Sequence, residues 1–115
     1  SSISGGREGT ASGDYSSISG GIGNTASGKD SSVSGGSFNE AMINYASISG
    51  GNHNDATGFA SYIGGGSENT ASGAYSSISG GHQNIASGFF SWIGGGEAKT
   101  ASTDSCTVGD DGVDC

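Results

Sequence analysis

The chain repeats itself every 15 residues. Ser1-Ser2-Ile3-Ser4-Gly5-Gly6 returns as Ser16-Ser17-Ile18-Ser19-Gly20-Gly21, and in related form from Ser31, Ala46, Ser61, Ser76 and Ser91. Seven copies fill positions 1–105, and a divergent ten-residue piece, 106–115, closes the chain. A unit this short cannot enclose a core of its own. It buries an apolar face only by stacking on the next copy, so the period specifies a solenoid.

The copies align into fifteen columns. Column 3 is always β-branched: Ile3, Ile18, Val33, Ile48, Ile63, Ile78 and Ile93, continuing as Val108. Column 11 is always alanine: Ala11, Ala26, Ala41, Ala56, Ala71, Ala86 and Ala101. Columns 5 and 6 are glycine throughout, and column 9 is Asn24, Asn39, Asn54, Asn69 and Asn84 in the middle copies. So much glycine opposes helix, while β-branched residues and period-two alternation favour strands. Columns 3 and 11 then point inward, and columns 2, 4, 10 and 12 outward. Gly-Gly and Asn-x-Ala are read as the turns, because Gly and Asn accept positive φ at low cost.

The expected fold is an all-β solenoid of seven coils over 1–105, with two short strands per coil, and a Cys- and Asp-rich cap over 106–115. Parallel coils stack about 4.8 Å apart, which makes a rod about 35 Å long. One Ile facing one Ala is a thin interior. Ordering a glycine-rich backbone around it is costly, so extra burial by self-association is expected.

Composition narrows the partners. Gly is 25 residues and Pro zero, yet Gly does not recur at every third position, which excludes collagen. The net charge is −8, with Arg7, Lys29 and Lys99 the only cations, so nucleic acid and anionic membranes are repelled. No apolar run approaches a membrane span, so no membrane insertion is expected. The chain opens in phase with its repeat and shows no initiator Met or signal peptide, which reads as a mature or excised part of a longer product. Cys106 and Cys115 flank a short loop and are expected to form a disulfide, hence an oxidising, extracellular setting.

The columns also spell A-x-G-x-x-S-x-I-x-G, as in Ala11-Ser12-Gly13-Asp14-Tyr15-Ser16-Ser17-Ile18-Ser19-Gly20. This resembles the YadA-like head repeat of trimeric autotransporter adhesins, whose pattern is S-x-A-x-G-x-x-S-x-A-x-G. Similar Asn-Thr-Ala-Ser-Gly-x-Tyr-Ser arrays occur in fibre-like surface proteins. The resemblance covers about residues 1–105. It implies a left-handed parallel β-roll that trimerises side by side and binds host or matrix surfaces. The chain departs from the pattern with Ile or Val in column 3, with Met42-Ile43 in the third copy and with the Cys-containing tail.

Several features are candidate sites. Tyr62 and Trp92 interrupt the serine column 2 and suit a subunit contact, a receptor or a glycan. Tyr15, Tyr45, Phe59, Tyr75, Phe89 and Phe90, in columns 14 and 15, line one edge and suit packing or a lateral interface. Columns 10 and 12 carry Thr10/Ser12, Thr25/Ser27, Thr70/Ser72 and Thr100/Ser102, with Glu40/Met42, Asp55/Thr57 and Ile85/Ser87 between. Regular hydroxyls on a flat sheet are similar to the Thr-x-Thr rows of insect antifreeze β-helices, which suggests ice binding. Asp104, Asp110, Asp111 and Asp114 could hold Ca²⁺, but a polar cap is the simpler reading, and no cofactor is expected. His53 and His82 have no Cys or His at zinc spacing, and no nucleophile elbow or phosphate loop is present.

The expected function is therefore a non-enzymatic, extracellular structural or adhesive solenoid that self-associates, as a homotrimer or an end-to-end filament. Its other expected partners are a host or matrix surface or glycans. An ice-binding protein and a carbohydrate- or receptor-binding module are the alternatives.

Overall fold

The computed structural model describes residues 1–115 as an all-β parallel solenoid with no helix. Each coil contributes two two-residue strands, in columns 2–3 and 10–11, from Ser2–Ile3 and Thr10–Ala11 to Trp92–Ile93 and Thr100–Ala101. The first strands stack into an eight-stranded sheet that the tail completes with Thr107–Val108; the second strands stack into a seven-stranded sheet. Every pairing is parallel and shifted by one repeat, so Ile63 lies beside Ile48 and Ile78, and Ala71 beside Ala56 and Ala86. The rod measures 39 × 21 × 12 Å.

A third line of backbone pairing runs through column 7, joining Arg7, Ile22, Ser37, Asn52, Ser67, His82 and Glu97 by single-residue parallel bridges. The coil is thus hydrogen-bonded to its neighbours on three sides. The short strands leave few ladder bonds per side, and this third line satisfies backbone groups that would otherwise need water.

The interior holds the expected Ile/Val and Ala columns, buried from Ile18 and Ala26 onward. Ile3 and Ala11, in the first coil, are less covered. Two polar columns are buried with them. Column 1 holds Ser16, Ser31, Ser61, Ser76 and Ser91, with Ala46 and Cys106 in register. Column 9 holds Asn24, Asn39, Asn54, Asn69 and Asn84, all fully buried.

The asparagines correct the turn assignment. None has positive φ. Each donates through Nδ2 to two glycine carbonyls; Asn54 bonds Gly50 at 3.1 Å in its own coil and Gly66 at 3.0 Å in the next. Its Oδ1 accepts the Asn69 amide at 3.0 Å, and the pattern repeats up the rod. The amide is kept here for its donors and acceptor, not for its backbone freedom. Positive φ falls instead on column 6 glycine, column 8 and column 15. The last two columns are filled by residues such as Phe38, His53, Tyr45, Ala60, Tyr75 and Phe90.

The tail does cap one end. Cys106 sits in the inner column 1 and is disulfide-bonded to Cys115, with Cα atoms 6.1 Å apart. The strand Thr107–Val108 extends the solenoid beyond residue 105, and the chain then crosses to the second sheet. There Asp114 Oδ1 accepts the Thr100 amide at 2.9 Å, and the Cys115 carbonyl accepts from Ser102 and Thr103. Lys99 Nζ donates to the Gly112 carbonyl at 3.0 Å. Edge groups that a further coil would satisfy are thereby occupied.

Candidate functional site

A solenoid offers its outer columns as sites, and three pairs of them hold the residues singled out from the sequence. The first is the edge made by columns 14 and 15. Positive φ at column 15 turns the chain sharply, so two consecutive side chains project at the corner. In coils three to six these are Tyr45, Phe59, Tyr75, Phe89 and Phe90, all exposed. They form one continuous chain of rings. Tyr45 meets Phe59 edge-on at 5.5 Å, Phe59 meets Tyr75 at 5.6 Å, and Tyr75 stacks on Phe90 at 4.9 Å. Phe89 closes the cluster against Phe90 at 4.3 Å. Met42 and Ile43 of the third coil are also exposed. Tyr15 shares the edge but not the cluster, because Lys29 and Asp30 occupy the same columns in the coil between. Charge thus bounds the apolar stretch at Lys29 and Asp30 on one side and Asp104 on the other.

The second site is the outer face of columns 2 and 4. Tyr62 and Trp92 stand there, and each is followed two residues later by glycine, Gly64 and Gly94, where most coils have serine. The Trp92 ring folds down over Gly94: a Cβ on that glycine would stand 2.6 Å from Cη2. The Tyr62 hydroxyl lies near Gly64 and shares a 3.1 Å hydrogen bond with Ser49 Oγ. Both rings therefore lie along the sheet and remain about 40 % exposed (Tyr62 40%, Trp92 39%).

The third is the outer face of columns 10 and 12. Its hydroxyl array is interrupted by Glu40/Met42, Asp55 and Ile85, and Thr-x-Ser persists over no more than two consecutive coils. Glu40 and Asp55 are directly paired on adjacent strands. Partial burial, and secondarily the Glu40 carboxylate, push the Asp55 carboxyl above its ordinary range against a smaller opposing pull from His53.

The remaining candidates are dispersed. No three of the His, Cys, Asp and Glu side chains converge as metal ligands. Asp104 accepts the Phe89 amide and Asp114 the Thr100 amide, so these two carboxylates serve the backbone. His53 stacks on Phe38 at 5.2 Å, and His82 lies 3.9 Å from Glu68. The one concavity is an open hollow at the first coil, lined by Ser1, Ser12, Gly13, Asp14 and Tyr15.

The ring cluster and the folded-down indole were not legible as such, although the residues were. The signal for the second was present in the sequence: an aromatic in column 2 coincides with glycine in column 4 in both full copies that have one. No protein-family model matches the chain, and no curated protein matches it.

Proposed function

We propose that the chain is a non-enzymatic, extracellular structural or adhesive solenoid that self-associates along its aromatic edge. The observation that carries this reading is the uncovered chain of rings from Tyr45 to Phe90, uncharged at its centre and bounded by Lys29, Asp30 and Asp104. An apolar centre with a charged rim is the anatomy of a protein interface. A rod only 12 Å thick has little interior, so lateral burial adds stability that the coil cannot supply alone. The Cys106–Cys115 disulfide supports the oxidising setting. The resemblance to adhesin heads makes a side-by-side trimer the first arrangement to look for.

Sedimentation equilibrium tests the reading. The wild-type chain is expected as a defined oligomer, with three times the chain mass for a trimer and an open mass series for a filament. Phe59→Asn and Phe89→Asp, which place in column 14 residue types that it already holds at Asn44 and Asp104, are expected to shift the mass toward the monomer. A wild-type chain that stays monomeric at high concentration refutes the proposal.

A further inference from the structure

The face of columns 2 and 4 carries no charge on any coil. Column 2 reads Ser, Tyr, Trp or Thr, and column 4 reads Ser or Gly, although the chain as a whole has net charge −8. Its two rings occupy the same column two strands apart, since Tyr62 and Trp92 each pair with Ser77. Two strand spacings put them about 10 Å apart along the rod. The Trp92 ring is laid over Gly94, while Tyr62 reaches along the sheet to place its hydroxyl beside Gly64 and Ser49, and both side chains stay about 40 % exposed (Tyr62 40%, Trp92 39%).

We propose that this face is a binding platform for an extended, neutral, β-1,4-linked polysaccharide, with Trp92 and Tyr62 as the stacking residues. In such a chain the ring substituents are equatorial, and each pyranose presents a flat surface of axial C–H groups. Those C–H groups complement the negative face of an aromatic ring. The chain is straight, and its disaccharide repeat is commensurate with the spacing of the two rings. Between them Ser77 and Ser79 offer hydroxyls, which donate and accept and so suit sugar hydroxyls. Electrostatics selects the same class. An anionic glycan meets an acidic protein with no cation on this face, whereas a neutral glycan loses nothing on approach. A coiled α-1,4-linked chain does not hold alternate sugar rings flat along one straight line, as the two aromatics require. The platform lies on a different side of the coil from the edge of Tyr45 and Phe90, and its occupation does not require self-association.

The test is depletion of the full chain from solution by microcrystalline cellulose, by crystalline chitin and by granular starch. Depletion by cellulose, chitin or both, and not by starch, is expected; which of the two binds identifies the substituent that is accepted. Trp92→Ser and Tyr62→Ser restore the residue that column 2 has at Ser2, Ser17, Ser32, Ser47 and Ser77. Each is expected to weaken binding about tenfold, with unchanged circular dichroism. Ser77→Asp, an outward substitution between the rings, is expected to weaken binding similarly and serves if an aromatic variant misfolds. No depletion by either β-linked polymer overturns the proposal. So does equal depletion by starch, or folded variants that bind like the wild type. Variants that alter the sedimentation mass without altering depletion would instead make this face a contact between copies.

Discussion

The Trp92 indole occupies the space above the Gly94 α-carbon that a side chain would need: a Cβ there would meet Cη2, Cζ3 and Cζ2 at 2.6, 3.1 and 3.2 Å, and no backbone atom is among its three nearest neighbours. Gly94 has no positive φ, so its backbone accepts other residues. The pair is thus a matched substitution of Ser-x-Ser by Trp-x-Gly. Gly94→Ser alone is expected to lift the indole and destabilise the fold by about 1 kcal/mol. Trp92→Ser with Gly94→Ser returns the column pattern, and the double-mutant cycle is expected to show a coupling near 1 kcal/mol in urea unfolding. Additive effects would show that the ring does not rest on the glycine.

The two glycines of each Gly-Gly pair have different duties. Gly51 lies at φ 93°, and a Cβ on it would overlap the Gly66 carbonyl oxygen and stand 2.6 Å from Asn54 Nδ2. Gly50 has no neighbour within 4 Å of that position and no positive φ. Gly51→Ala is expected to cost at least about 3 kcal/mol, strain and the displaced coil together. Gly50→Ala is expected to stabilise by about 0.4–1 kcal/mol through the unfolded chain. Thermal unfolding of the two variants checks the asymmetry.

Most of the fold was legible because the period fixes the stacking, and the β-branched column 3 with the alanine column 11 fixes which faces turn inward. The buried asparagines were not, since a polar residue in a glycine-rich segment reads as a turn. Asn54 is tolerated inside because the Gly50 and Gly66 carbonyls accept its two N–H donors and the Asn69 amide donates to its Oδ1, a condition visible in three dimensions alone. Positive φ at Tyr75 and Phe90 escaped for the opposite reason. Bulky residues rarely adopt it, and here ladder bonds hold the turn, the Tyr75 amide donating to Phe59 and the Phe90 amide to Ala74. The aromatic edge was visible as residues but not as a continuous cluster, because that depends on columns 14 and 15 sharing one corner.

Removing one rung of the asparagine ladder tests its weight. Asn54→Ala leaves the Asn69 amide without its acceptor and takes a donor from the Gly50 and Gly66 carbonyls. With the buried amide orphaned, a loss of about 2–4 kcal/mol is expected. Asn54→Asp, nearly the same shape but without the two N–H donors, is expected to destabilise as well at neutral pH. A variant of either kind with wild-type urea midpoint would refute a structural role for the ladder.

Reduction of the disulfide tests the cap. Cys106 and Cys115 are nine residues apart in sequence, and closing so short a loop stabilises by about 2–3 kcal/mol. The cap holds the amides of Thr100, Ser102 and Thr103. After reduction these amides are expected to lose hydrogen-exchange protection first, while Ile48 and Ile63 amides in the middle coils keep theirs. Uniform loss along the rod would instead mean that the stack unfolds as one unit.

Asp55 gives a pH dependence of determinate sign. Burial first, and the paired Glu40 second, raise its carboxyl in the folded state above the ordinary 3.8. The folded chain therefore holds this proton more tightly than the unfolded chain. The resulting stability is fully present below 3.8 and is lost as pH rises through the elevated folded value. At neutral pH the ionised pair remains as a like-charge contact across adjacent strands, costing about 0.2–1 kcal/mol. Asp55→Asn removes the titration and the repulsion together. Its melting temperature is expected to exceed that of the wild type at pH 7, and the difference is expected to close as pH falls below 3.8. A melting-temperature difference independent of pH would show that the Asp55 charge does not oppose folding.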